Sequence, residues 1–272
     1  MRFQTSEPAF RFRQGTAPLL ISMPHVGTHL PPDAAARLTP EAQQVHDTDW
    51  HLERLYDFAD AMGASVLTAT HSRYVIDLNR PPDNQNLYPG QDTTGLCPLD
   101  GFDKKTLYLT GMAPDEAQII ARREAIWEPY HQQLQAELQR LQAAHGTVVL
   151  WDAHSIRSLL PRFFEGKLTD LNLGTANGTS CDPLLAQKLL SIGQAASGYS
   201  AVLNGRFKGG HITRQYGRPA QGVHAVQLEM TQCSYMQEAM PFDYLPEVAA
   251  QVRPHLRLML QAALDFAQGK LN

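Results

Sequence analysis

His25 and His154 each close an apolar run. His25 follows Leu19-Leu20-Ile21-Ser22-Met23-Pro24 and precedes Val26-Gly27, and His154 follows Val148-Val149-Leu150-Trp151-Asp152-Ala153. Two imidazoles at strand ends suggest a metal site, because catalytic zinc takes three ligands from His, Asp, Glu or Cys and leaves its fourth position open. Glu229 closes a third such run, Ala225-Val226-Gln227-Leu228. A carboxylate there reads either as a buried partner for an arginine or as a general base beside a metal-activated water. The second reading is preferred, since a base at that position can take the water's proton and pass it to a leaving nitrogen.

A third ligand is expected from an element near the first strand, and His46-Asp47-Thr48-Asp49 opens a helical pattern over residues 41–62. Helical phase puts Asp49 on the face of Leu52, Tyr56 and Ala59, which turns inward, and Asp47 on the face of His51 and Arg54. An inward carboxylate needs a partner, so Asp49 is the expected ligand and Asp47 a helix-capping residue. Of the other histidines, His29, His51, His71, His131, His145 and His255 carry no assigned role. His46, His211 and His224 stay open.

Arginines supply the complementary chemistry. Arg73-Tyr74-Val75-Ile76-Asp77-Leu78-Asn79-Arg80-Pro81 puts polar groups at both ends of a short apolar stretch. Arg80, with Asn79, can grip a substrate carboxylate through its planar fork, and Arg73 can face a developing oxyanion. The alternative for Arg80 is a salt bridge to Asp77 or Asp83. In residues 204–214, Gly209-Gly210 allows positive φ and close backbone approach, which suits a loop wrapping a small ligand. Arg214 is the expected substrate contact there, and Arg206 could equally be structural. The segment lacks the ending and spacing of a phosphate-binding P-loop.

The elements that must position these residues follow from periodicity and turn signals. Strands are expected at residues 18–23, 65–69, 74–78, 148–151, 200–203 and 224–229. Helices are expected at 41–62, at 114–144 with a bend at Pro129, from Asp182-Pro183 onward, and at 245–267 with a bend near Pro254. Alternation of strands and helices indicates an α/β fold with a mixed, mainly parallel central sheet flanked by helices on both faces. Ligands in such sheets bind outside the carboxyl ends of the strands. Residues 87–111, rich in Gly, Pro and Asp, read as a long active-site loop.

The 272 residues, 43% of them hydrophobic, suffice for one domain spanning 1–272. A formal charge of −4 with mixed signs leaves no footprint for nucleic acid or anionic lipid. No stretch reaches the ~20 apolar residues of a membrane span, and the N-terminal residues lack a signal-peptide pattern, so a cytoplasmic protein is expected. Cys97, Cys181 and Cys233, few and far apart, argue against a disulfide framework. Oligomeric state is not encoded in these patterns.

In order along the chain, Pro24-His25-Val26-Gly27, the helical pattern with Asp49, residues 72–81, Thr94-Gly95-Leu96-Cys97-Pro98, Asp152-Ala153-His154-Ser155 and Val226-Gln227-Leu228-Glu229 resemble the N-formylglutamate amidohydrolases over almost the whole length. That family is similar in design to aspartoacylase and the zinc carboxypeptidases, so the resemblance implies a zinc-carboxypeptidase-like mixed sheet of about eight strands. It implies hydrolysis of a small acidic N-acyl amino acid, N-formyl-L-glutamate, to formate and L-glutamate, a step of histidine degradation. It further implies Zn²⁺, or another divalent ion such as Co²⁺, on His25, Asp49 and His154, with Glu229 as base and Asn79 and Arg80 as carboxylate binders. The carboxypeptidases place a glutamate three residues after their first histidine, where this chain has Thr28; Asp49 fills that need.

Two other readings stand beside this one. A deacylase of another N-acyl amino acid or a small-peptide carboxypeptidase would differ in its acyl pocket. A non-catalytic carboxylate-binding or metal-binding protein would keep the arginines without needing Glu229. A serine hydrolase is disfavoured by the absence of a Gly-x-Ser-x-Gly elbow.

Overall fold

The apolar runs ending near His25, His154 and Glu229 become three neighbouring strands. In a computed structural model, which describes residues 3–87, 90 and 92–271, seven strands form one sheet. They are β1 (Phe10–Arg13), β2 (Leu19–Met23), β3 (Ser65–Ala69), β4 (Val148–Ile156), β5 (Leu171–Gly174), β6 (Ala201–Leu203) and β7 (Val223–Thr231), in the order β1-β3-β2-β4-β7-β5-β6. β2, β3, β4 and β7 run parallel, and β5 and β6 are parallel to each other. β1 and β5 run antiparallel to β3 and β7. The sheet is therefore mixed and mainly parallel, as expected.

The helices are α1 (Pro32–Ala35), α2 (Leu52–Leu55), α3 (Glu116–Arg122), α4 (Glu128–His145), α5 (Pro183–Ala195), α6 (His211–Tyr216) and α7 (Pro246–Ala267). Side chains alternate across a strand, and this alternation divides the core. Leu19 and Ile21 of β2, Val149 and Trp151 of β4, and Val226 and Leu228 of β7 pack with Leu185 and Leu189 of α5 and Val252 and Leu256 of α7. Leu20, Val148, Leu150 and Ala225 point the other way, onto Tyr130 and Leu134 of α4 and Ile212 of α6. Asp152 and His154 share the parity of Leu150, and Gln227 and Glu229 that of Ala225. They continue this second face past its apolar part, in the registered pairs Asp152↔Gln227 and His154↔Glu229.

Two expected elements are replaced by irregular backbone. Residues 74–78 are buried but form turns rather than a strand. Polar side chains take backbone donors that a ladder would use: Tyr74 N–H bonds to Ser72 Oγ at 3.2 Å and Asn79 N–H to Asp77 Oδ1 at 2.8 Å, the competition that short polar side chains offer to regular structure. The pattern over 41–62 is not one helix. It breaks into a 3₁₀ turn (Ala42–Gln44), α2 and a second 3₁₀ turn (Asp57–Ala59), with Val45 and His51 at φ of 46° and 61°. Asp47 caps nothing and instead accepts from Phe102 N–H at 2.7 Å and Arg157 at 3.1 Å.

Other differences are smaller. Two strands escaped the pattern reading: β1, whose Phe-Arg-Phe-Arg alternation sits at the sheet edge, and β5, only four residues long. The helix over 114–144 is α3 and α4 joined by a π-helical turn (Arg123–Trp127), in which Glu128 N–H reaches back to Arg123 O just before Pro129. Widening there takes up the register that proline, lacking an N–H, cannot supply. Asp182 caps α5 by accepting from Leu184 N–H. The described residues of 87–111 contain neither helix nor strand; Pro89 lies outside the described residues. No helix among the described residues is long and apolar enough to cross a membrane.

Candidate metal centre and active site

The parallel strands deliver the site to one edge of the sheet. His25 stands just past the end of β2, His154 lies within β4, and Asp49 lies in the turns before α2, its N–H bonded to His25 O at 3.0 Å. One donor atom from each of the three falls within 4.8 Å of the others. Both imidazoles turn Nδ1 toward Asp49 Oδ2, at 3.8 Å from His25 and 3.1 Å from His154. Each turns Nε2 to a second buried aspartate: His25 to Asp77 at 2.7 Å and His154 to Asp152 at 3.2 Å.

That arrangement is the one in which a carboxylate fixes the tautomer and orientation of a metal-ligating histidine. The residues also fit a cation on local grounds. His25 Nδ1 is buried with no hydrogen-bond partner among the described residues, an expensive condition unless something accepts its lone pair. Four buried carboxyl groups, Asp49, Asp77, Asp152 and Glu229, share this cluster with the buried guanidinium of Arg73, and buried charge must be matched locally. Arg73 lies 2.7 Å from Asp77 and 4.0 Å from Asp49.

The electrostatics follow from this crowding. Burial opposes a charged His154, but Asp152 and Asp49 outweigh it and hold its pKa well above the usual imidazole value. His25 is lowered by burial and by Arg73, against the pull of Asp77. Burial would raise Asp77, yet His25 and Arg73 hold it well below the usual carboxylate range. Glu229 is pushed up to about 8, chiefly by burial, with Asp49 and Asp152 adding to the effect and His154 and Arg73 opposing it. Its Oε2 accepts from Gln227 Nε2 at 3.3 Å, and Gln227 Oε1 is itself held by Gly210 N–H at 2.8 Å.

A cavity of about 70 Å³ opens onto this cluster, lined among others by His25, Arg73, Asn79, Arg80, His154, Arg206 and Glu229. Arg80 donates to Thr94 O, Thr94 Oγ1 and Asn79 O, all uncharged acceptors, and makes no salt bridge to Asp77 or Asp83 among the described residues. Arg73 lines the cavity with its guanidinium over Phe102. Asn79 is spent on protein groups: its Nδ2 lies 2.9 Å from His154 Nε2 and its Oδ1 accepts from Ile212 N–H at 2.8 Å. Arg214 is not among the lining residues and donates to Gly209 O, whereas Arg206 does line the cavity, beside Phe163 and Phe207. The Gly209-Gly210 pair behaves as its composition suggests, with Gly209 at φ 105° and a Cβ on Gly210 only 2.5 Å from the Asn79 amide.

Sequence reasoning passed over Asp77, Asp152 and Gln227 as site residues. A signal existed for two of them, because residues two apart on a strand share a face: Asp152 precedes His154, and Gln227 precedes Glu229, by that step. Asp77 sits on irregular backbone and had no such signal. Asp77→Asn keeps the shape but weakens the acceptor for His25 Nε2. A drop of ~10–100-fold in Zn²⁺ affinity is expected, measured by competition with a chromophoric chelator; unchanged affinity would assign Asp77 to Arg73 alone.

Comparison with known proteins places this geometry in a lineage. The family model described as N-formylglutamate amidohydrolase matches residues 17–236, a span that holds every residue of the cluster. N-formylglutamate deformylase of Pseudomonas aeruginosa is 54% identical over 257 residues, which cover 94% of this chain and 96% of that protein. The Pseudomonas putida protein of the same name is 53% identical over 255 residues, covering 94% and 95%. The crystal structure of N-formylglutamate amidohydrolase from Ralstonia eutropha JMP134 matches with a TM-score of 0.79 at 25% identity, over 96% of this chain and 97% of that one. On the match over residues 17–236 and this level of identity, the chain belongs to the N-formylglutamate amidohydrolase family.

Proposed function

We propose that this chain hydrolyses N-formyl-L-glutamate to formate and L-glutamate, with His25, Asp49 and His154 holding one divalent metal. The observation that carries the reading is the pairing of His154 with Glu229 across β4 and β7. It sets a carboxylate beside the three-donor cluster, in a cavity that also holds Arg80 and Arg206. The names of the Pseudomonas relatives support the same substrate.

Two imidazole nitrogens and one carboxylate oxygen suit Zn²⁺, with Co²⁺ as a substitute. When bound, such an ion supplies Lewis-acid polarisation of the formyl carbonyl and eases ionisation of water. Glu229 takes a proton from the attacking water as the water oxygen bonds to the formyl carbon. The carbon–nitrogen bond then breaks while Glu229 returns that proton to the departing glutamate nitrogen. Burial suits Glu229 to both halves of this task, because a carboxyl raised toward neutrality gives a proton back as readily as it accepts one.

Arg80, whose hydrogen bonds go to neutral acceptors, grips a substrate carboxylate. Arg206 stands in the same cavity as a second cation for the second carboxylate, in place of Arg214. Asn79 braces His154 and α6 rather than binding substrate. Arg73, held by Asp77, faces the carbonyl oxygen as it becomes negative.

The test is kcat/KM for N-formyl-, N-acetyl- and N-succinyl-L-glutamate with zinc or cobalt supplied. The formyl compound should lead the acetyl compound by at least ~10-fold, the smallest usual effect of one extra methyl-sized group in a fitted pocket. Equal turnover would sink the formyl assignment, and absence of any turnover would sink the enzyme reading.

A further inference from the structure

Asp49 is the member of the three-donor cluster that neither follows nor belongs to a strand. It lies in turns between Val45 and His51, both at positive φ, where backbone has alternatives to the observed path. Its neighbours are nonetheless gripped on both sides. Gln232 Nε2 donates to Thr48 O at 3.0 Å, and Tyr235 Oη donates to Trp50 O at 2.9 Å. The Tyr235 oxygen also lies 2.6 Å from Ser155 Oγ. Because the Trp50 carbonyl can only accept, the phenol proton goes to it and the Ser155 hydroxyl donates to the phenol oxygen. Ser155 N–H then donates to Asp49 Oδ2 at 3.2 Å. Gln232, Tyr235 and Ser155 are all buried.

We infer that Gln232 and Tyr235 are positioning residues for Asp49: a two-point clamp, reaching from the segment directly after β7, that holds the carboxylate in place to bind the metal. Both clamp residues follow the strand that carries Glu229, so the same element sets the third ligand and the base. The inference rests on the metal-centre reading. Each bond is a neutral one that adds only modestly to stability, but partners outside the ligand set typically govern ~10–100-fold in metal affinity by fixing ligand orientation. A purely structural role would cost stability and leave the affinity of the folded protein unchanged.

Zn²⁺ affinity, measured by competition with a chromophoric chelator, and the visible absorption of the Co²⁺-loaded protein separate these cases. Tyr235→Phe combined with Gln232→Met is expected to weaken Zn²⁺ binding ~10–100-fold and to alter the Co²⁺ spectrum. Tyr235→Phe alone should do so in the same direction, which keeps the test valid if the pair fails to fold. The control is Tyr56→Phe, which removes an equally buried hydroxyl bonded to Trp151 Nε1 at 3.3 Å; it should lower Tm with affinity and spectrum unchanged. Clamp variants that bind Zn²⁺ like the wild type would overturn the clamp alone. A wild type that binds neither ion would overturn the metal reading and the clamp with it.

Discussion

Glu229→Gln is expected to lower kcat by ~10²–10⁴-fold, the usual contribution of a positioned acid or base, while KM and metal content stay near wild type. The substitution keeps the size and packing of a buried residue and removes its ability to accept and return a proton. Glu229 is not one of the three clustered donors, so the metal should remain. Its neighbour Gln227 would then face an amide in place of a carboxylate, and that amide can still offer an oxygen to the Gln227 N–H. Steady-state kinetics together with metal analysis on the same preparation check the expectation. A variant keeping more than about a tenth of wild-type kcat, far above what loss of a base allows, would remove Glu229 from the mechanism.

The second large effect is expected at the metal centre itself. His25→Ala should abolish stoichiometric zinc and reduce turnover to background. It deletes the Nδ1 that has no hydrogen-bond partner among the described residues and leaves two donors, too few for a catalytic set. It also strips Asp77 of its imidazole partner, though Arg73 at 2.7 Å still compensates that carboxylate, so the fold should survive. Metal content after dialysis, read against circular dichroism, decides the matter: a folded variant retaining one zinc per chain would exclude His25 as a ligand. Loss of turnover with metal retained in one variant, and with metal lost in the other, distinguishes the base from the ligand.

Much of the site was legible in the chain because strands are local. Runs such as Leu19-Leu20-Ile21 and Val148-Val149-Leu150-Trp151 are buried on both faces in any parallel sheet, and the residues that end them emerge at its carboxyl edge. The two-residue period also ties Asp152 to His154 and Gln227 to Glu229, a signal in the chain that the pattern reading left unused. Asp49 is a different case. It does lie with the two histidines, but the helix used to select it does not exist there; a backbone bond to His25 O places it instead.

What the sequence determined by itself is where the central strands β2, β3, β4 and β7 run and which polar residues stand near their carboxyl ends, because burial and side-chain alternation act over a few residues. Only the tertiary structure decided that β4 lies beside β7, so that His154 registers with Glu229, 75 positions away along the chain. It alone decided that residues 74–78 give up a ladder for side-chain partners, that Asp77 turns to His25, and that Arg206 rather than Arg214 enters the cavity. These outcomes depend on competition among distant groups for one another's hydrogen bonds and charge, and no local pattern records who wins it.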